Sequence, residues 1–204
     1  SYRQILASNY SEAVRNKFLN FLDEDKSLFY WAPYEFVYDS PDKGISFRAK
    51  STHTIRAPLL GTLESAQTEI HIISPYFVPR PSGITTLADL QKSGVQVTVL
   101  TNSMAANNHL AVHSGYAPSR KPMLQHGVKI YEVRPDARVS GAEIVSASGA
   151  KATLHTKAFI VDRKDLFIGS FNFDPRSINI NTEMGVIIKL PFLADYFVNE
   201  MESA

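Results

Sequence analysis

A histidine, a lysine and two small polar residues that could take part in catalysis lie close together in the last third of the sequence. His155 and Lys157 are two positions apart in a segment whose pattern predicts a β-strand, so alternation places both side chains on one face. An imidazole beside an ammonium suits phosphodiester cleavage, because one group attacks or protonates while the other stabilises negative charge on the phosphate oxygens. Ser170 and Asn172 can donate hydrogen bonds to the same oxygens. The sequence therefore predicts a phosphate-binding site built from side chains, without a metal ion.

A β-hairpin is predicted to bring these residues together. Two apolar runs, 158–161 and 166–168, are joined by the charged residues 162–165, which is typical of a hairpin turn. The second run ends at Gly169, where a glycine permits close approach of two backbones. The hairpin thus returns the segment after Gly169 to the side of the first strand.

Strands and helices alternate between residues 52 and 133, which predicts a layered α/β/α fold with a mixed, mainly parallel sheet. Thr52 is the expected N-cap of the first helix, and Gly94 is expected to end the second. Pro118 and Pro122 are expected to break the third helix into two pieces. Strands are expected at 69–73, 95–100, 128–133 and 184–190, and helices at 55–63, 84–90, 110–124 and 193–201.

Residues 1–50 are expected to lead into a single domain at residues 51–204. The aromatic stretch at 29–38 is expected to be a buried or half-buried strand, the alternative being a patch that faces a membrane or a partner. The Gly-, Ser- and Ala-rich residues 134–153 are expected to form a loop that either covers the site or only connects two elements. An amphipathic helix capped by Ser11 is expected to open the chain, with apolar residues at Val14, Phe18, Phe21 and Leu22.

The composition excludes several classes of protein. With 44% hydrophobic and 20% charged residues among 204, a packed α/β domain is favoured over a disordered or coiled-coil chain. The absence of cysteine excludes disulfides, thiol nucleophiles and Cys-ligated metals. Twenty-one basic and 20 acidic side chains leave a net charge of +1, too small a basic excess for a surface that follows nucleic-acid phosphates.

Six positions together resemble the HKD signature of the phospholipase D superfamily. The continuation through residues 172–177 and 181–185, and the upstream segments 39–43, 74–79 and 107–116, resemble the C-terminal half of bacterial cardiolipin synthases. The resemblance therefore covers most of the chain. The pattern H-x-K-x4-D-x6-G-S-x-N is filled by His155, Lys157, Asp162, Gly169, Ser170 and Asn172.

The resemblance implies a role for each matching residue. In this family two HKD motifs face each other across a cleft, and no metal or organic cofactor takes part. One histidine forms a phosphohistidine and the other protonates the leaving alcohol, and His155 matches the acid/base partner. Lys157 and Asn172 match the phosphate-holding residues, with Ser170 either a weaker helper or a cap of the turn. Glu183 matches the carboxylate that receives the Nδ1 proton of the histidine, the alternative being an ordinary surface carboxylate. Finally, Asp162 is expected to be a structural carboxylate at the hairpin turn.

Only one HKD motif is present, because no other histidine is followed by lysine two residues later. Either two copies pair, as in single-motif nucleases of the superfamily, or the chain is the C-terminal half of a two-motif enzyme. The start at Ser1 and the match to second-half segments favour the second alternative.

His109 and His113 lie four positions apart in a predicted helix and could bind a metal from one face. A zinc-protease motif would need glutamate directly after the first histidine, where this sequence has Leu110. His113 is therefore expected to line the cleft instead.

The expected function is phosphatidyl transfer or phosphodiester hydrolysis on phospholipids. The expected partners are a phospholipid substrate and a second HKD half, with peripheral membrane contact and no nucleic acid. The resemblance implies a bacterial protein that is cytoplasmic or peripheral to the inner membrane. Two other functions stay open: a homodimeric single-motif phosphodiesterase or nuclease, and a non-catalytic module that keeps the fold.

Overall fold

The computed structural model describes residues 30–44, 53–107, 109–135 and 153–203. The chain divides into two compact units, residues 1–32 and residues 33–204. Of the first unit only residues 30–32 are described, so the predicted N-terminal helix with its Ser11 cap lies outside the described residues. The same holds for most of the predicted loop at 134–153 and for Thr52.

The described part of the second unit contains seven strands and five α-helices. The strands are β1 (Tyr34–Tyr38), β2 (Glu69–Ile73), β3 (Gln96–Asn102), β4 (Lys129–Val133), β5 (Ala158–Val161), β6 (Asp165–Gly169) and β7 (Met184–Lys189). The helices are α1 (Arg56–Glu64), α2 (Arg80–Lys92), α3 (Leu110–Gln125), α4 (Pro175–Asn179) and α5 (Pro191–Ser203), with a 3-10 turn at Pro41–Gly44.

The strands form one mixed sheet in the order β1-β7-β6-β5-β2-β3-β4. Helices cover both faces, which confirms the predicted layered α/β fold. Parallel pairing is confined to β2, β3 and β4, and the other four neighbouring pairs are antiparallel. The expectation of a mainly parallel sheet therefore describes only the part formed by β2, β3 and β4. The β5–β6 turn is too short for the helical crossover that parallel neighbours need.

The register places the C-terminal ends of some strands and the N-terminal ends of others at one edge of the sheet. Ile73 at the end of β2 pairs with Ala158 at the start of β5, and Ala158 pairs with Ile168 near the end of β6. Gly169 then pairs with Gly185 near the start of β7. The segments before β5, after β6 and before β7 therefore leave the sheet at the edge where β2, β3 and β4 end.

A different core packs on each face of the sheet. The larger one joins α1, α2 and α3 to the sheet through residues such as Leu63, Leu87 and Tyr116. The smaller one packs Ala194 and Val198 of α5 against β5 and β6. Within the described residues, no helix has the length and apolar character that crossing a bilayer requires.

Helix α3 is continuous although it contains Pro118 and Pro122, so the predicted break is wrong. Each proline removes only one hydrogen-bond donor, and the carbonyls that lose a partner belong to Ser114 and Pro118, both on the exposed side, where water can bind them. The opposite side, including Tyr116 and Met123, is buried in the main core. Tertiary packing thus outweighs the local helix-breaking preference.

Strand β1 is formed by the aromatic stretch, but its burial differs from the expectation. Tyr34 and Phe36 are 73% and 53% exposed, and only Val37 faces the main core. The strand lies at the edge of the sheet and pairs with β7 alone, so one of its faces has no covering helix among the described residues. This strand lies within the second compact unit, residues 33–204.

Asp162, in the turn between β5 and β6, ties the hairpin to the start of β2. Its carboxylate accepts hydrogen bonds from the backbone N–H groups of Gln67, Thr68 and Glu69, at 2.8–3.2 Å, and from the Thr68 hydroxyl. The next residue, Arg163, holds α5 through Asp195, Asn199 and Glu202. The turn is therefore the point at which the hairpin, β2 and α5 are joined.

The pKa of Asp162 predicts an acid-sensitive contribution to stability. Burial alone raises this pKa, but the hydrogen bonds from residues 67–69 favour the carboxylate and lower it below its ordinary value. Because the carboxyl has a lower pKa in the folded chain than in the unfolded chain (about 3.9), it stabilises the fold at pH values above the unfolded-state pKa. That stabilisation is lost as the pH falls through the folded-state pKa.

Asp162→Asn should lower the free energy of unfolding at neutral pH by about 1–2 kcal/mol, allowing for partial solvent screening. Asparagine tolerates the left-handed backbone at this position (φ 52°), so the change removes the charge without adding backbone strain. Urea unfolding at pH 7 and pH 3 should show the difference from the parent shrinking at pH 3. An equal difference at both pH values would contradict the assignment, and Asp89→Asn in an exposed ion pair is the control.

Candidate functional site

His155 and Lys157 lie in an extended segment immediately before β5 rather than inside the strand. The Lys157 Nζ is 3.4 Å from the His155 Nε2 and donates a hydrogen bond to the His155 carbonyl oxygen at 2.7 Å. The Gly169 N–H donates to the Lys157 carbonyl oxygen at 3.2 Å, so the hairpin pairing continues to this point. The fold therefore brings the two side chains together at the open edge of the sheet.

The contact between the two side chains places the Nε2 of His155 against the Lys157 ammonium. An ammonium can only donate, so Nε2 is the acceptor in the tautomer whose ring proton is on Nδ1. His155 is exposed. The imidazole and the ammonium are therefore presented together at the edge of the sheet.

The pKa of Lys157 is lowered by partial burial of its ammonium. The negative charge of Glu183 acts in the opposite direction and raises it. Glu183 is therefore close enough to stabilise the charged form of Lys157, although the two form no direct ion pair.

The carboxylate of Glu183 is almost completely buried and accepts hydrogen bonds from three side chains. Its Oε2 accepts from the Ser170 hydroxyl, and its Oε1 accepts from the Ser177 hydroxyl at 2.7 Å and the Asn181 amide at 3.1 Å. In the described part of the chain it makes no hydrogen bond with His155. The predicted contact between His155 Nδ1 and Glu183 is therefore not formed in this structure.

Ser170 is tied to the same network. Its hydroxyl donates to Glu183 and accepts from the Met184 N–H at 3.1 Å. A hydroxyl has a single proton, so Ser170 can donate to a phosphate only if the bond to Glu183 is broken. The structure thus links Ser170 to Glu183 rather than leaving its hydroxyl free at the edge.

Asn172 lies in the loop between β6 and α4. Its backbone N–H donates to the Ser177 hydroxyl at 3.2 Å, and its side-chain Oδ1 is buried without a hydrogen-bond partner in the structure described. An unpartnered buried oxygen costs about 1–3 kcal/mol, which functional sites tolerate more often than ordinary cores. The amide nitrogen, which is not buried, is the group left to bind an anion.

Helix α4, which the sequence analysis missed, positions this loop. Asp174 is its N-cap and accepts from the N–H groups of Arg176 at 2.7 Å and Ser177 at 3.0 Å, and Pro175 occupies the first helical position. The Asp-Pro pair is a recognisable start signal that could have predicted the helix. The helix turns the Ser177 hydroxyl toward Glu183 and Asn172.

Polar residues at the ends of β2 and β3 hold the segments on either side of the site. The Asn102 side chain accepts from the Leu154 N–H at 2.8 Å and donates to the Leu154 carbonyl at 3.1 Å, directly before His155. The Ser74 hydroxyl accepts from the Phe173 N–H at 3.1 Å, directly after Asn172. Their signal in the sequence is a polar residue at the C-terminal end of an apolar strand.

Gly169 and Gly185 are required by close packing beside the site. A Cβ on Gly169 would lie 2.4 Å from the Met184 carbonyl oxygen, and one on Gly185 would lie 2.3 Å from the Phe167 ring. The two glycines pair across β6 and β7, so the Phe167 ring can lie against both backbones.

His113 lies on the buried side of α3, with its ring edge-on to Tyr116 at 5.7 Å between centroids. Its Nδ1 is buried and has no partner in the structure described. Within the described residues it makes no hydrogen bond with His155, Lys157 or Asn172. Its role as a cleft residue therefore stays a prediction.

Comparisons with known proteins identify the family of this chain. Residues 59–204 match the family described as "Cardiolipin synthase, PLD-like domain". The chain is 41% identical over 181 residues to cardiolipin synthase C of Escherichia coli (strain K12), covering 87% of this chain and 38% of that protein. It is 30% identical over 190 residues to a cardiolipin synthase of Geobacillus sp. (strain WCH70), covering 87% of this chain and 34% of that protein. The chain thus spans only a little over a third of these relatives.

Solved structures of low sequence identity share the fold. Nuc from Salmonella typhimurium, a phospholipase D family member, superposes with a TM-score of 0.60 at 21% identity, covering 85% of this chain and 93% of Nuc. Phosphatidylserine synthase of Haemophilus influenzae Rd KW20 gives 0.57 at 14% identity, covering 86% and 39%. Sequence family and fold agree: this chain belongs to the cardiolipin-synthase type of phospholipase D-like domains.

Proposed function

We propose that the chain supplies one half-site for phosphatidyl transfer or phosphodiester hydrolysis on phospholipids, through a phosphohistidine intermediate. The observation that carries the proposal is that Lys157 contacts His155 and that the segments bearing His155, Asn172 and the buried Glu183 leave the sheet at one edge. An imidazole, an ammonium and a carboxamide are the groups that a phosphodiester needs for proton transfer and charge stabilisation.

The reaction consists of two displacements at phosphorus. In the first, a histidine nitrogen of the other half-site forms a bond to phosphorus, the bond to the leaving alcohol oxygen breaks, and protonated His155 gives that oxygen its proton. In the second, His155 takes the proton of an acceptor alcohol or water, whose oxygen attacks phosphorus as the phosphorus–nitrogen bond breaks. The exposure of the His155 imidazole at the sheet edge supports the acid/base role.

Lys157 and Asn172 bind the non-bridging oxygens in this scheme. The ammonium offsets the charge that builds up on them, and the unburied amide nitrogen donates a directional hydrogen bond. Glu183 holds Lys157 in its charged form, since the interaction raises the lysine pKa. Ser170 serves this network by fixing Glu183 rather than by binding phosphate.

A second half-site is needed, because the described residues supply one such set and two histidines are required. The relatives are more than twice as long as the matching segment, which supports a second HKD half elsewhere in a longer chain. A surface beside the site that the described residues leave exposed supports the same partner. We name it the apolar strip: the side chains of Tyr34, Phe36, Tyr38, Ile168 and Met184, all 37–73% exposed.

The register explains why the apolar strip forms one surface. Tyr38 pairs with Met184, Phe36 and Ile168 both pair with Val186, and paired residues project from the same face of a sheet. Among the described residues, helix α5 packs on this face mainly against β5 and β6. The strip begins at Met184, next to Glu183, so a domain docked on it lies beside the half-site. The other HKD half is the occupant we propose.

Peripheral contact with a bacterial membrane is part of the proposal, because a phospholipid substrate resides there. The support is the relationship to cardiolipin synthases. A near-neutral net charge of +1 gives no support for nucleic acid as substrate.

His155→Ala should lower phosphatidyl transfer by about 10²–10⁴-fold in the longer enzyme that contains both halves, because the acid/base group is removed. His126→Ala, at the exposed end of α3, is the matched control. Transfer is measured with labelled phospholipid and an alcohol acceptor. Unchanged transfer in His155→Ala would exclude the proposal, and EDTA-insensitive DNA cleavage by a dimer of this chain would favour a nuclease instead.

Lys157 should make anion binding sensitive to alkaline pH. Because its pKa is lowered, the ammonium is lost below the ordinary lysine value of about 10.4. Vanadate affinity of the 204-residue chain should therefore fall as the pH approaches that value from 8. Lys157→Arg, which stays charged throughout, should remove this decline. An identical pH profile in both proteins would contradict a phosphate-binding role for Lys157.

Tyr34→Asp should weaken association with the other HKD half by placing a charge in the apolar strip. The control is Tyr131→Asp on β4 at the opposite edge of the sheet, since Tyr131 is also an exposed tyrosine on an edge strand. Co-purification of this chain with the separately expressed other half measures the effect. Equal retention of both variants would show that the half-domain docks elsewhere.

A further inference from the structure

A buried ion pair joins Asp39, directly after β1, to Lys43 in the 3-10 turn. The Lys43 Nζ lies 2.6 Å from the Asp39 Oδ2, and the two side chains are 5% and 0% exposed. Removing two charges from water is costly, and a well-packed apolar pair often stabilises a fold as well or better. The other contacts of these two side chains indicate what the pair does.

Asp39 binds both backbone polar groups of Glu183. Its Oδ2 accepts from the Glu183 N–H at 3.0 Å, and its own N–H donates to the Glu183 carbonyl oxygen at 2.8 Å. Its second carboxylate oxygen, Oδ1, accepts from the Ile55 N–H at 3.0 Å. Both carboxylate oxygens are therefore in use, and the backbone of Glu183 is fixed from both sides.

Lys43 reaches the other side of the same network. Besides Asp39, its ammonium donates to the Ser177 carbonyl oxygen at 2.8 Å. The Ser177 hydroxyl donates to Glu183 and accepts from the Asn172 N–H. The ion pair thus holds the backbone of Glu183 directly and that of Asn172 through Ser177.

We propose that Asp39 and Lys43 are positioning residues of the phosphate site, which they serve by holding Glu183 and the Asn172–Ser177 loop in register. They lie more than 100 residues before the HKD motif, and neither contacts the side chains of His155 or Lys157. This inference rests on the proposed phosphate site. It does not depend on whether transfer or hydrolysis follows.

The test is a double variant, Asp39→Asn with Lys43→Met, in the 204-residue chain. It removes both charges, so no unpaired ion is left buried. Asparagine has one acceptor oxygen where aspartate has two, so either the Ile55 or the Glu183 N–H loses its partner. The matched control is Asp89→Asn with Lys92→Met, the same residue types in an exposed ion pair.

Two readouts separate positioning from stability in the folded protein. Vanadate affinity should fall about tenfold in the double variant, the effect of one lost hydrogen bond to a charged group. The pKa of Lys157, followed by NMR of labelled lysine, should fall further, because Glu183 raises it in the parent. The control should leave both the vanadate affinity and the Lys157 pKa unchanged. Neither readout depends on a transfer assay.

Each outcome decides the proposal. A folded double variant with parental vanadate affinity and parental Lys157 titration would overturn it. If the double variant does not fold, Lys43→Met alone carries the same test, because the Asp39 carboxylate keeps its hydrogen bonds from the Ile55 and Glu183 N–H groups while the bond to the Ser177 carbonyl is lost. Failure of both variants to fold would also overturn the positioning role, since the pair would then maintain the fold alone. If the parent itself does not bind vanadate while the Lys157 pKa shifts as expected, the proposed function fails and the positioning role stands.

Discussion

The antiparallel pairing of β5 with both β2 and β6 decides where the chemistry of this domain can lie. Because neighbouring strands run in opposite directions, the start of β5, the end of β6 and the start of β7 meet at one edge. That edge is also where the parallel strands β2, β3 and β4 end. The segments that carry His155, Asn172 and Glu183 are separated in sequence, and the pairing of β5, β6 and β7 brings them to the same edge.

A buried carboxylate imposes the second constraint. Glu183 is 5% exposed, and a charge at such a position must be hydrogen-bonded or paired. Its carboxylate accepts from Ser170, Ser177 and Asn181, and its backbone N–H donates to Asp39. Holding this one residue therefore orders segments from three parts of the chain, while His155 stays exposed.

Among the described residues, the sheet is well packed on one face and incompletely covered on the other. The main core is continuous from α1 to α3, whereas α5 covers part of the opposite face. Exposed aromatic and aliphatic side chains on adjacent strands are unfavourable in water, and a stable assembly removes them from it. Supplying a second histidine and covering this face are the two roles that we propose for the other HKD half.

Local patterns in the sequence predict the HKD residues, the β5–β6 hairpin and the strand at 69–73, because motif spacing and apolar runs involve neighbouring residues. Packing between distant segments explains why α3 runs through two prolines, why β1 leaves its aromatic side chains exposed and why four of the six strand pairings are antiparallel. The same packing directs the Glu183 carboxylate to Ser170 and Ser177 and its backbone N–H to Asp39, rather than its carboxylate to His155. These features depend on contacts between residues up to 144 positions apart, whose energies no local pattern contains.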